Sequence, residues 1–216
     1  CIGISLDCLH ENKILYRDIK PENILIDEDG YLKLIDFGLA KMLDKDTKTK
    51  TFCGTPEYVA PEIITGEGHS TPADWWSYGT LIYEMLFGVP PFYTENTKKM
   101  YHQILNKDLK FPKKAVLSED AKDLIIKLLV KNQNVRLGAK GGFEEIKKHH
   151  FFDGFNFDDL INKKIIPPFI PEISGDCDVR NFDTEFTSEE VAQTAIPDKN
   201  LEIIKENQDQ FDDFDF

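Results

Sequence analysis

Apolar positions along the chain fall into runs of different period. Residues 1–10 carry a spacing that predicts the end of a helix, stopped near Asn12. Residues 24–26 and 31–35 are short apolar runs with Asp27-Glu28-Asp29-Gly30 between them, and an Asp-Gly pair in such a setting predicts a β-hairpin. The Lys/Thr-rich stretch 44–51 reads as an exposed loop. Residues 74–87 are apolar on almost every side and end at Gly88, the pattern of a buried helix with a glycine C-terminal cap. Residues 98–107 predict an amphipathic helix. Ser118 reads as an N-cap, and Ala121, Leu124, Ile125, Leu128 and Leu129 after it keep the one-face spacing of a helix. A shorter helix is expected over 143–148. After Phe152 the periodicity dissolves, and Pro167-Pro168-Phe169-Ile170-Pro171 must be extended, because consecutive prolines fix φ and carry no N–H donor.

A length of 216 residues suits one large domain, or one domain with an extension. With 41% hydrophobic and 30% charged residues, wholesale disorder is excluded. The net charge of -13 is uneven: residues 176–216 hold 13 acids against 3 bases, so the body is nearly neutral and the tail acidic. That distribution argues against a nucleic-acid-binding face, which needs clustered Lys and Arg. Cys1, Cys8, Cys53 and Cys177 show no CxxC spacing and make no disulfide framework, which points to a reducing compartment. No apolar run has the roughly 18–20 residues of a membrane helix, and no signal peptide is seen. The first residue is Cys rather than Met, so the natural N-terminus is expected to lie upstream.

Three blocks carry the candidate chemistry. They are Tyr16-Arg17-Asp18-Ile19-Lys20-Pro21-Glu22-Asn23, then Asp36-Phe37-Gly38 directly after the hairpin, then Ala60-Pro61-Glu62 after the polar loop. In this order they resemble the protein-kinase signature set. Phosphoryl transfer asks a protein for positioning and charge neutralisation rather than covalent chemistry. The resemblance implies that Asp18 accepts or orients the proton of the substrate hydroxyl and that Lys20 sets a positive charge near the transferring group. It implies Asn23 and Asp36 as oxygen ligands for Mg2+, a hard cation. In the family that these blocks resemble, a lysine at the Lys20 position goes with Ser/Thr rather than Tyr substrates, so the resemblance implies Ser/Thr substrates. Read without the family, Asp18, Asn23 and Asp36 are ordinary turn and cap residues.

Tyr16 in place of the commoner His resembles the AGC group of Ser/Thr kinases, and the likeness then covers nearly the whole chain. Thr51-Phe52-Cys53-Gly54-Thr55-Pro56-Glu57-Tyr58 is similar to the AGC activation segment, and Thr55 is implied as a catalytic residue beside Asp18 and Lys20. Asp74-Trp75-Trp76-Ser77-Tyr78-Gly79 opens the buried helix as the family does. Glu62, Asp74 and Arg136 are implied as structural, with Arg136 pairing with Glu62. Phe151-Phe152 and Pro167-Pro168-Phe169 resemble the start of the AGC tail, Phe182-Asp183 a segment near the nucleotide, and the final Phe211, Phe214, Asp215 and Phe216 the hydrophobic motif. The expected fold is α+β and mainly helical: a kinase large lobe with a short β-hairpin over 1–152 and an AGC C-terminal extension over 153–216, the small lobe being absent. Lys20, Glu22, Asn23, Asp36 and Phe182 are the implied ATP-binding set, with ATP and Mg2+ as cofactors.

The same resemblance makes Thr51 an activation-loop phosphorylation site served by an upstream kinase, with Arg17 and Lys41 receiving the phosphate. Asp215 stands where the hydrophobic motif usually has a phospho-acceptor, and Thr194 is the nearby turn-motif candidate. Glu22 and Glu84 match positions that hold arginines upstream of the phosphorylated residue, so Arg-rich protein substrates are expected. No Gly-rich loop and no strand lysine occur in the 216 residues, so this polypeptide alone is expected to have negligible activity. The alternative is a truncated kinase lobe acting as a non-catalytic interaction module. A cytoplasmic location is expected, with membrane recruitment left to an N-terminal domain outside this chain. His149 and His150 are adjacent and lack partners at metal-ligand spacing, so a metal reading is rejected for them.

Overall fold

The computed structural model describes residues 1–44, 47–112, 116–175 and 177–189. The chain divides into two compact units, Cys1–Glu172 and Ile173–Phe216. In the first unit α1 (Ile2–Glu11) leads into β1 (Ile14–Leu15), followed by β2 (Ile24–Ile26), β3 (Leu32–Leu34) and β4 (Lys41–Met42). The helices α2 (Pro61–Thr65), α3 (Pro72–Phe87), α4 (Thr97–Asn106), α5 (Glu119–Leu128), α6 (Gly142–Lys147) and α7 (Phe157–Ile161) come next. This is an α+β lobe that is mainly helical, with strands confined to two antiparallel pairs, β1 with β4 and β2 with β3.

Helix α3 is the spine. Its two tryptophans point into different clusters: Trp75 packs with Leu6, Tyr16, Ile19, Leu124 and Phe143, while Trp76 packs with Phe92, Met100, Ile104, Ile125 and Leu129. A helix flanked on both sides must be apolar nearly all round, which is the pattern its sequence shows. The burial does not reach its last turn, where Met85 and Leu86 are exposed. Helix α5 lies closest to α3, and Gly79 permits this, because a Cβ there would sit 2.8 Å from Leu128 Cβ. At the end of α3 the chain turns left-handed at Gly88 (φ 76°), and its N–H closes the helix on the Glu84 carbonyl at 2.7 Å.

Local signals set the other elements. Ser118 caps α5 by accepting from the Ala121 N–H at 3.1 Å, and Ala121, Leu124, Ile125, Leu128 and Leu129 are all buried. Asn96 caps α4 in the same way. The hairpin pairs Ile24 with Leu34 and Ile26 with Leu32, and Asp27 Oδ1 holds its turn by accepting from the N–H groups of Asp29 and Tyr31.

Two expectations need correction. The stretch 44–51 is not uniformly an exposed loop: Thr49 is buried and forms a two-bond bridge with His69 at 3.0 and 2.9 Å. Nor is the region after Phe152 wholly irregular. Asn156 accepts from the N–H groups of Asp158 and Asp159 and starts α7, whose Phe157 packs on Phe143. His149 is used locally, as its Nε2 meets Asp123 Oδ2 at 2.9 Å and its Nδ1 accepts from the Phe151 N–H.

In the second unit Asp178 gathers the N–H and hydroxyl of Ser174 and the side chain of Arg180, and these bonds hold its carboxyl well below the usual range. Asp183 caps the short helix α8 (Thr184–Thr187). Thr194, Phe211, Phe214, Asp215 and Phe216 lie outside the described residues. No described helix is long and apolar enough to cross a membrane.

Candidate active site

Leaving β1, the chain is gripped by α3. Asp74, wholly buried, accepts from the Tyr16 N–H at 2.9 Å through Oδ2 and from the Arg17 N–H at 2.8 Å through Oδ1. His10 of α1 adds Nε2 at 2.8 Å. Three donors on one carboxylate compensate its burial. Arg17 is held at φ 71°, sparsely populated for a residue with a side chain, and this strained turn delivers Asp18.

Asp18 is only 6% exposed, and both its oxygens are occupied. Oδ1 accepts from the Thr55 hydroxyl at 2.8 Å. Oδ2 accepts from Asn23 Nδ2 at 2.8 Å and lies 3.1 Å from Lys20 Nζ. Lys20 also reaches Thr55 Oγ1 at 3.2 Å, so Asp18, Lys20, Asn23 and Thr55 form one closed cluster. Burial pushes the Asp18 pKa up, but the bonds from Thr55, Lys20 and Asn23 and the Lys20 charge together outweigh it, and the carboxyl is held below its ordinary value.

Asp36 reaches the same region through the hairpin. The Ile35 N–H donates to the Asn23 carbonyl at 3.0 Å, and the Tyr16 hydroxyl donates to the Ile35 carbonyl at 2.5 Å. Asp36 therefore begins one residue beyond a point tied both to Asn23 and to the start of the loop. It is exposed, with φ 57°, and its Oδ1 accepts from the Gly38 N–H at 2.9 Å. Phe37 meets Tyr16 edge-on at 5.6 Å. Tyr16 is pushed up to about 12, first by burial and then by the charges of Asp18 and Asp36.

The donor set fits a hard divalent cation. Asn23 turns its amide nitrogen to Asp18, leaving its oxygen as the atom able to meet a metal, and Asp36 keeps Oδ2 beyond its bond to Gly38.

Glu62 and Arg136 meet in a buried two-pronged pair, with Nη1 to Oε1 at 2.7 Å and Nη2 to Oε2 at 2.8 Å. Arg136 also donates to the carbonyls of Pro72 and Val130 and lies over the Trp76 ring. One side chain thus ties α2, the start of α3 and the exit of α5. Glu84 accepts from the Tyr58 hydroxyl. Its pKa is raised first by burial, then by the charges of Glu22 and Glu57. Glu57 thereby joins Glu22 and Glu84 in an acidic surface, a role the sequence pattern had not assigned to it.

Thr51 is exposed, and its hydroxyl lies 3.3 Å from that of Thr49, which accepts from Lys41 Nζ at 3.0 Å. Arg17 spends Nε on the Leu39 carbonyl, while its Nη1 is buried without a partner among the described residues. His69, also missed, is buried beside this group, and burial followed by the Arg17 charge lowers its pKa. Its only sequence signal was a lone His ahead of Ser70. Phe182 belongs to the second unit and is 56% exposed.

A helical lobe whose central helix grips a loop bearing Asp18, Lys20 and Asn23, with a hairpin returning Asp36, is the architecture of a protein kinase large lobe. Residues 1–152 match the protein kinase domain family, and residues 173–216 match the protein kinase C terminal domain. Serine/threonine-protein kinase gad8 of Schizosaccharomyces pombe is 49% identical over 199 residues, which cover 92% of this chain and 34% of gad8. Serine/threonine-protein kinase Sgk1 of Homo sapiens is 51% identical over 191 residues, 88% of this chain and 44% of that protein. Sgk1 of Xenopus tropicalis is 47% identical over 220 residues, 100% of this chain and 52% of its own length. The chain belongs to the protein kinase family, in its AGC group of serine/threonine kinases. It spans between a third and about half the length of these curated relatives.

Proposed function

We propose that this chain is the large lobe and C-terminal extension of an ATP-dependent kinase that phosphorylates Ser and Thr in proteins with basic residues upstream of the target. The observation that carries the reading is the closed cluster of Asp18, Lys20, Thr55 and Asn23, tied to Asp36 through Ile35. Asp18 Oδ1 accepts a hydrogen bond from the Thr55 hydroxyl, which makes it an oxygen suited to orient a substrate hydroxyl and take its proton. Lys20 holds positive charge beside that oxygen. Asn23 and Asp36 would hold Mg2+, and Lys20 and Glu22 complete the proposed nucleotide contacts on this lobe. Mg2+-ATP, when bound, supplies the phosphoryl group and neutralises its charge.

Glu22, Glu84 and Glu57 favour substrates with guanidinium groups, because carboxylates bind these through paired, charge-assisted bonds. Thr51 is the proposed activation site for an upstream kinase, and the unpartnered Nη1 of Arg17 together with Lys41 would receive its phosphate. We assign 1–152 to the lobe and 153–216 to the extension, and the cytoplasm as the location. Without a Gly-rich loop and strand lysine, the 216-residue polypeptide by itself should transfer phosphate negligibly.

The test is radiolabelled phosphate transfer from Mg2+-ATP to an Arg-rich peptide, using the parent enzyme extended upstream to the length of the relatives. Transfer is expected, and Asp36→Ala should abolish it without unfolding the lobe, since Asp36 is exposed. Normal turnover in that variant would overturn the site.

A further inference from the structure

The stretch that leads to Thr51 is pinned to the lobe at Thr49. Lys48, Lys50 and Thr51 are exposed, yet Thr49 among them is only 4% exposed. It pairs antiparallel with His69, which lies between α2 and α3. The Thr49 N–H donates to the His69 carbonyl at 3.0 Å, and the His69 N–H donates to the Thr49 carbonyl at 2.9 Å. The Thr49 hydroxyl accepts from Lys41 Nζ and lies 3.3 Å from that of Thr51, so this bridge also fixes the side chains around Thr51.

The other half of the bridge carries a titratable ring. His69 is 1% exposed, and its Nε2 is buried without a hydrogen-bond partner among the described residues. A neutral ring leaves that nitrogen idle. A protonated ring carries an N–H on each nitrogen and a full charge, and a buried site must then satisfy both. The surroundings do not. Burial opposes the proton most, followed by the charge of Arg17 from the loop after β1, with Lys41 of β4 adding to it. Glu62 of α2 and Asp74 of α3 favour the proton through their charge. Their oxygens are held by other donors, Glu62 by Arg136 and Asp74 by Tyr16, Arg17 and His10. The balance keeps the His69 pKa below its ordinary 6.5.

We propose that His69 is a proton-operated latch on the segment that carries Thr51: neutral, it keeps Thr49 docked; protonated, it leaves its buried place and the two-bond bridge opens with it. The open form, with the ring in water, takes up a proton more readily than the closed one. The closed form is therefore at full strength above about pH 6.5 and weakens as the pH falls from there to the folded pKa. Release of Thr49 also frees Lys41 and Thr51 from their shared arrangement. The consequence for activation rests on Thr51 being the activation site; the latch rests only on the bridge and the buried ring.

In the full chain the His69 ring is titrated by NMR, and hydrogen–deuterium exchange of the Thr49 and His69 amides, the two bridge donors, is followed as a protection factor from about pH 7 to about pH 5. His69 is expected to titrate below 6.5. Protection of both amides is expected to fall together, by up to about tenfold per pH unit, while the amides of Leu124 and Ile125 in α5 keep theirs. His69→Gln, which cannot titrate, should remove the pH dependence at Thr49. The readout is local opening and not activity, so the result is independent of the role given to Thr51. A ring that titrates at or above 6.5 overturns the proposal. So does protection at Thr49 that ignores pH, a fall that persists in His69→Gln, or an equal fall in α5. Should the variant fail to fold, the ring titration and the wild-type exchange still decide.

Discussion

Thr55 donates its hydroxyl to Asp18 Oδ1 at 2.8 Å, although the two residues are 37 positions apart. The same hydroxyl oxygen accepts from Lys20. The proposed base is therefore aligned by a residue of the segment that also carries Thr51, so the state of that segment and the geometry of Asp18 are mechanically joined.

Removing the hydroxyl should show this. Thr55→Ala leaves Asp18 and Lys20 each short of a partner, a loss of about 1–3 kcal/mol for a buried polar group. The transfer rate of the parent enzyme is expected to fall about tenfold to a hundredfold, while Thr55→Ser retains most of it. Steady-state kinetics of the three proteins on one peptide decide the matter; equal rates would break the link.

Acid should act through Asp18. Its folded pKa is below the ordinary value, so the stabilisation from its charge is complete above about 3.9 and is lost as the pH falls through the folded value. Denaturant midpoints of the chain are expected to drop between about pH 4 and pH 2. Asp18→Asn, which cannot titrate, should make that drop shallower.

The Glu62–Arg136 pair is a stability element. Arg136→Met strands a buried carboxylate and is expected to destabilise the lobe by about 3–5 kcal/mol. A double variant, Glu62→Gln with Arg136→Met, removes both charges and should be less damaging than the single one. Urea denaturation of the three chains measures the difference.

Two glycines, Gly79 within α3 and Gly88 at its C-terminal cap, separate strain from crowding. At Gly88 a Cβ meets nothing within 4 Å, so Gly88→Ala carries only the left-handed penalty, about 1–2 kcal/mol. At Gly79 the Cβ meets Leu128 and Leu129, and Gly79→Ala is expected to force α5 outward at about 1–3 kcal/mol. Loss of packing, read from near-ultraviolet circular dichroism, should follow the second substitution and not the first.

Substrate selection should depend on Glu84. Its raised pKa means that it gains charge later than an ordinary carboxyl as pH rises, so affinity for an Arg-rich peptide should improve through that range. Glu84→Gln is expected to raise KM for such a peptide about tenfold with little change in kcat. A variant with unchanged KM would remove Glu84 from the binding surface.

The features legible along the chain are those encoded within a few residues. Asp27 and Gly30 close the hairpin they predict, Ser118 caps α5, and Gly88 ends α3, since each acts on backbone groups no more than four positions away. Asp18, Asn23 and Asp36 stood out because a motif keeps their spacing. Thr49 did not stand out as buried. Its polar neighbours suggest water, and only the bridge to His69, far along the chain, takes it inside. Glu57 and His69 escaped notice for the same reason: the charges and burial that matter to them come from other segments.

The order of residues by itself determined the hairpin and the helices α3, α4, α5 and α6, and it marked side chains chemically able to hold a cation, accept a proton or meet an arginine. Periodicity, caps and turns are short-range, and they survive in a linear reading. The tertiary structure decided which of those side chains share a space. Asp74 draws the start of the loop bearing Asp18 onto α3, Ile35 brings Asp36 back to Asn23, and Arg136 seats α2. Each of these depends on a polar group finding its partner within the fold, which local periodicity does not record; only the family resemblance pointed to the Glu62–Arg136 pair beforehand.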